Sequence, residues 1–165
     1  MNNTLQFRKR LVAWMINKAV PALNIFRYPK LWPYTLKEMR KFHKGSLEFE
    51  MAAFLDKRKF DLLPKYEIHD AVHTILNYNT TTVGELRLQA FMWGNASSSY
   101  AGRILFLIGL LTLPELWKEL RLDYERGKRA AERIDNWDIA TLIDIDLTKL
   151  RKRLEPNKFE VSLLE

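Results

Sequence analysis

No cysteine occurs anywhere in the 165 residues. That excludes a disulfide framework, a thiol nucleophile, an iron–sulfur cluster and any thiolate-held zinc. Histidine is nearly as scarce: only His43, His69 and His73 are present, so any metal must be held by these together with Asp and Glu. Glycine and proline number six each, far below collagen-like or low-complexity levels. Long hydrophobic runs are also missing. The most apolar stretch, Ile104 to Leu113, is about half of the ~20 residues that a spanning helix needs.

Acidic residues are absent before Glu38, whereas Arg8, Lys9, Arg10, Lys18, Arg27, Lys30 and Lys37 all fall there. The whole net charge of +7 therefore sits in the first 37 residues, and the remainder is neutral. This divides the chain into a basic arm, 1–37, and a helical domain, 38–165. In the arm Phe7, Leu11, Trp14 and Met15 recur at helical spacing, which predicts an amphipathic helix from Thr4 to Val20, ended by Pro21. A basic helix with Trp and Phe on its other face suits a membrane surface, and Arg8, Lys9, Arg10 and Trp14 are its candidate contacts. Each cation near an anionic leaflet contributes about 1 kcal/mol. The plain alternative is a helix packed on the body with its charges in water. Nucleic acid would also attract the charge, but no motif that reads DNA or RNA accompanies it, so no nucleic acid is expected as a partner. The arm is a poor secretory signal, because Asn17 and Lys18 break its apolar run and no small-residue cleavage pattern follows.

Nearly every later segment reads as helix. Thr35 to Glu38 is a capping-box pattern, Ser46 caps a helix carrying Leu47, Met51, Phe54 and Leu55, and a helix from about Tyr66 to Asn77 follows. Thr82 to Glu85 reads as a second capping box, with Thr82 as the cap and Glu85 as its third helical residue. Ser97 to Ser99 cap an apolar helix through Leu111, Pro114 opens another, and Asp146 caps the last, Leu147 to Leu154. No strand alternation is convincing. The expected fold is all-α, one compact domain of about seven helices plus the basic amphipathic helix.

His69 and His73 are one helical turn apart and fall on the same face, where two imidazoles can share one ion. Asp70 flanks that face as a ligand, a hydrogen-bond partner for an imidazole, or a proton acceptor. Glu85 follows His73 after eleven residues, and a loop between two antiparallel helices would return it to the pair. Two His with one or two carboxylates suit a divalent ion, Zn²⁺ above all, with Fe²⁺ or Mn²⁺ as alternatives. Each residue also has a plainer role: the histidines in packing, Glu85 in its capping box, Asp70 in stabilising the first turns of its helix.

The pattern His69-Asp70-x-x-His73, eleven residues, then Glu85 resembles the HDxxH-x11-E signature of the Coq-four family of ubiquinone (coenzyme Q) biosynthesis proteins. Thr81-Thr82-Val83-Gly84-Glu85, Tyr124 through Ala130, Asn136-Trp137-Asp138 and the closing Leu150-Arg151-Lys152-Arg153-Leu154 are similar to that family's segments, so the resemblance covers about Gly45 to Leu154. It implies an all-helical fold and a divalent metal on His69, Asp70, His73 and Glu85, with Asp70 and Glu85 as catalytic carboxylates. It also implies an apolar groove for a polyprenyl lipid or quinone precursor, for which Leu105, Phe106, Ile108 and Leu111 are the candidate lining. The implied role is removal of the ring C1 carboxylate with oxidation at that carbon, or organisation of other quinone-biosynthesis proteins as a non-catalytic lipid-binding scaffold. The implied location is cytoplasmic and peripheral to a membrane, the mitochondrial inner membrane in a eukaryote. A homodimer is compatible with this reading. A rival is an HD-type metal phosphohydrolase using His43, His69, Asp70 and Asp135 or Asp138, which leaves His73 and Glu85 without a role.

Overall fold

The structure, a computed structural model, describes residues 6–15 and 32–155. They form eight helices: α1 (residues 6–15), α2 (Leu36–Met39), α3 (Leu47–Asp56), α4 (Glu67–Leu76), α5 (Thr82–Gly94), α6 (Tyr100–Thr112), α7 (Trp117–Arg129) and α8 (Leu147–Leu154). Three single 3₁₀ turns complete them, and among the described residues no strand forms. The expected all-α class is therefore what the chain adopts. The expected helix beyond residue 15, its stop at Pro21 and the stop at Pro156 lie outside the described residues.

Local chemistry starts most of these helices. Thr35 and Glu38 exchange the two hydrogen bonds of a capping box, and Ser46, Ser99 and Asp146 accept backbone N–H bonds at the starts of α3, α6 and α8. Each such cap stabilises its helix by about 1 kcal/mol. The second capping box differs from expectation. The cap of α5 is Thr81, whose hydroxyl accepts from Gly84 N, so Gly84 and not Glu85 is the third helical residue. Three consecutive threonines offer the same hydroxyl, and the backbone packing of the loop selects among them. A Cβ on Gly84 would meet the carbonyl oxygen of Asn79 at 2.0 Å, so this turn closes only with glycine there.

The chain gathers into two compact units. One joins α1 to residues 78–134 and so holds α5, α6 and α7. Its core packs Val12 with Leu86, Ala90, Leu105, Phe106, Leu113 and Leu120. Helices α5 and α7 cross at backbone contact. A Cβ on Gly94 would meet Tyr124 O at 2.0 Å, and one on Gly127 would meet Phe91 O at 2.1 Å. Beside that crossing Asp123 is nearly fully buried and fully paired. Arg87 donates to it from Nε at 2.6 Å and Nη2 at 3.3 Å, and Tyr78 donates its hydroxyl at 2.7 Å. Arg126 in turn donates to the Tyr78 oxygen at 3.0 Å.

The other unit joins residues 32–77 to 135–155 and holds α2, α3, α4 and α8. Its buried side chains include Met39, Leu47, Met51, Leu55, Ile75 and Leu150. The start of α3 is tied to the start of α8 by an antiparallel bridge between Ser46 and Asp146. Leu47 N donates to Ile145 O at 3.0 Å, and Leu147 N donates to Gly45 O at 2.8 Å.

Candidate metal centre

Helix α4 carries His69, Asp70 and His73 because its sequence is amphipathic: Ala71, Val72, Ile75 and Leu76 are buried, and His73 is buried among them. The helix ends at Asn77, whose φ of 60° is the left-handed conformation that Asn tolerates at a helix end. The last carbonyls are then taken by Arg151 of α8, which donates from Nε to Ile75 O and from Nη2 to Thr74 O, each at 2.9 Å. A cation at a helix C-terminus also complements the helix dipole. On the opposite side Phe54 of α3 stacks on the His73 ring at 6.0 Å between centroids and 28° between planes. The Arg58 guanidinium covers the Phe54 ring at 3.6 Å. The histidine helix is thus held at its end by one arginine and on its face by an aromatic pair.

The two imidazoles meet edge to face, with ring centroids 4.6 Å apart and planes at 83°. Their Nε2 atoms are 3.1 Å apart. Two nitrogens on one metal at the usual ~2.05 Å bond length stand about 3.3 Å apart in a tetrahedral arrangement and about 2.9 Å apart at a right angle. The observed separation lies between those values, so the pair fits one ion in either geometry. It also fits an N–H···N hydrogen bond between two neutral rings, one donating and one accepting. Asp70 sits at half-burial in the early turns of α4, and its backbone carbonyl accepts from the Thr74 hydroxyl at 2.9 Å.

Glu85 stands half-buried in the first turn of α5. The register of that helix, set by the Thr81 cap and the contact of Gly84 with Asn79, places Glu85 one residue beyond the capping-box position. The capping role expected for its carboxylate is therefore not the one it plays. The chemistry of the donor types, imidazole and carboxylate, suits a borderline divalent ion.

The remaining sequence candidates are placed as follows. His43 donates through Nδ1 to Asp144 at 3.0 Å, and both side chains are largely exposed. Among the described residues it belongs to no metal-capable group. Leu105 and Phe106 belong to the core beside α1, Ile108 is half-buried, and Leu111 is among the most exposed apolar side chains. On α1, Arg10 and Trp14 are exposed and Lys9 is half-buried. Arg8 turns inward, donating to Thr112 O at 3.1 Å and pairing with Glu115 at 3.4 Å. Sequence reasoning did not single out the Arg151 clamp or the Phe54 stack. The closing Leu-Arg-Lys-Arg-Leu segment carries two arginines, and nothing local says which of them reaches back to α4.

No family model matches the chain, and no curated protein matches it. A solved structure does: that of a "Putative ubiquinone biosynthesis protein" from Nostoc punctiforme PCC 73102, with a TM-score of 0.63 and 22% sequence identity. The match covers 94% of this chain and 83% of the other. The chain shares that protein's fold.

Proposed function

We propose that this chain is a metal-binding protein of the ubiquinone-biosynthesis type, acting at a membrane surface on a polyprenylated aromatic acid. The observation that carries the reading is the His69–His73 pair, buried on its inner side and separated by 3.1 Å between Nε2 atoms. The His69-Asp70-x-x-His73 and Glu85 spacing supports it, as does the fold shared with a solved structure whose title names ubiquinone biosynthesis.

In this reading His69, Asp70, His73 and Glu85 hold one divalent ion, most simply Zn²⁺. When bound, such an ion supplies Lewis acidity toward the ring carboxylate and its neighbouring phenolate oxygen. The chain's own residues do the rest. Phe54 and the Arg151 clamp fix the ring and the helix that present the imidazoles. Asp70 and Glu85 supply negative charge that favours the cation and can accept a proton from the substrate hydroxyl. The proposed reaction releases the ring C1 carboxylate as CO₂ and puts a hydroxyl in its place, with dioxygen supplied from outside the chain as the two-electron oxidant; a scaffold that holds prenylated intermediates for other quinone-biosynthesis proteins is its alternative.

The test is elemental analysis of untagged protein, wild type beside Glu85→Gln and His69→Ala. The expected result is one equivalent of a transition metal in the wild type and its loss in His69→Ala, with far-ultraviolet circular dichroism unchanged. Stoichiometric metal in both variants, or none in the wild type after incubation with Zn²⁺, Fe²⁺ and Mn²⁺ in turn, would overturn the metal reading. Co-purified prenyl lipid without metal would then select the scaffold.

A further inference from the structure

Two helices of the α1-containing unit present the same pattern to solvent. On α1 the exposed face is Phe7, Arg10, Leu11 and Trp14; on α6 it is Tyr100, Arg103, Ile104 and Leu107, with Leu111 one turn further on. In each, apolar side chains fall at the first, fifth and eighth positions and an arginine at the fourth, the spacing of a single helical face. The apolar members are 40–67% exposed on α1 and 47–86% exposed on α6. Neither helix contains an acidic residue. Both turn their inner sides to one core, Val12 from α1 and Leu105 and Phe106 from α6. Arg8 fastens α1 to the end of α6 through Thr112 O and to Glu115 just beyond it. A soluble protein does not leave paired apolar stripes in water without a use for them.

We infer that these two faces together form a lipid-docking surface that lies along an anionic membrane. This extends the membrane-surface element of the proposed function by adding α6, and it does not rest on the metal. Charge selects the occupant. Pairing this face with a second copy of itself would bring Arg10 and Arg103 against like charges with no carboxylate to meet them. An anionic leaflet supplies the missing charge, while the apolar side chains enter the boundary between headgroups and chains. Tyr100 and Trp14 are of the kind that settles at that boundary, with an apolar ring and a polar tip. The geometry of α6 suits lying along the membrane. Among the described residues no single helix is long and apolar enough to span, and α6 measures about 20 Å against a hydrocarbon core of about 30 Å. The chain beyond α6 turns away by 105°. Docking by α6 also gives Leu111 a different use from the sequence expectation, which grouped it with Leu105 and Phe106 in one groove.

The experiment is sedimentation of the full chain with phosphatidylcholine vesicles, with and without phosphatidylglycerol. The expected result is binding that needs the anionic lipid. The double variant Leu107→Asp, Leu111→Asp removes two apolar side chains from the membrane and should weaken binding at least ~10-fold, about 1.4 kcal/mol. Trp14→Asp should weaken it too, whereas Lys152→Glu on α8, an exposed charge change elsewhere, should not. Circular dichroism and metal content measured on the same samples should stay at wild-type values. Wild-type binding by the α6 variant alongside lost binding by Trp14→Asp would overturn the inference while leaving the arm as the membrane contact. Loss of self-association in the α6 variant with unchanged vesicle binding would overturn it in favour of a second copy. No binding by the wild type would overturn the membrane reading as well.

Discussion

Asp123 in one unit and Glu48 in the other are both deeply buried carboxyls, and they are treated in opposite ways. Asp123, on α7, is paired: Arg87 donates to both of its oxygens, and the Tyr78 hydroxyl donates to one of them. The bond from Asp123 in turn raises the affinity of the Arg87 guanidinium for its proton, and burial pushes the Tyr78 hydroxyl up. Glu48, at the start of α3, is fully buried, and neither oxygen has a hydrogen-bond partner. Burial, with a smaller contribution from the negative charge of Asp144, pushes its carboxyl up to about 8. Taking an ion out of water is costly, and a protein meets that cost either by pairing the charge or by protonating it. One unit does the first and the other does the second. The pairing option needs donors that reach from far along the sequence, from Arg87 and Tyr78 to Asp123. The protonating option needs only depth.

Three measurements would break or sharpen this contrast. The largest effect should come from Asp123→Ala, which leaves the half-buried guanidinium of Arg87 and the hydroxyl of Tyr78 without their acceptor. Urea unfolding should register a loss of about 1.5–3 kcal/mol, since the Arg87 left behind still reaches water. A loss below about 1 kcal/mol would show that the charge was never paired in the folded protein.

Next in size is the pH dependence set by Glu48. Its folded-state affinity for a proton is raised above the ordinary value near 4.5. Below that value the carboxyl is protonated in both folded and unfolded chains, and its stabilising contribution is complete. Between about 4.5 and 8 unfolding releases a proton, so stability falls as pH rises, by up to ~1.4 kcal/mol per pH unit. Glu48→Gln should remove that slope and leave the variant the more stable protein at pH 8. Parallel pH profiles of unfolding for variant and wild type would mean that Glu48 ionises as an exposed carboxyl does.

The smallest effect belongs to Tyr78→Phe, which removes one of several bonds to Asp123 and keeps the ring. It should cost about 1 kcal/mol in the same urea assay, because Arg87 still holds the carboxylate. A cost equal to that of Asp123→Ala would make the tyrosine, rather than the arginine, the main partner of Asp123.

How much of this was legible in the sequence follows from the range of each interaction. The caps at Thr35, Ser46, Ser99 and Asp146 were readable because a cap acts two or three residues away. The His69–His73 juxtaposition was readable because helical periodicity fixes it once the helix is right. The α5 cap was misplaced by one residue, since choosing Thr81 over Thr82 depends on Gly84 meeting the Asn79 backbone. The depth of Glu48, in a first turn where acidic residues usually face water, left no local trace. Nor did the inward turn of Arg8, whose acceptor Thr112 lies 104 residues along the chain.

The clamp of Arg151 on the last carbonyls of α4 also sets an order of events during synthesis. The histidine helix emerges early, but its fastening is encoded near the other end of the described chain, with the whole 78–134 segment made in between. A chain released before α8 would carry both imidazoles and lack the arginine that closes their helix. Synthesis through α8 is therefore a condition for securing the pair, and a product truncated before it would betray itself by a frayed α4.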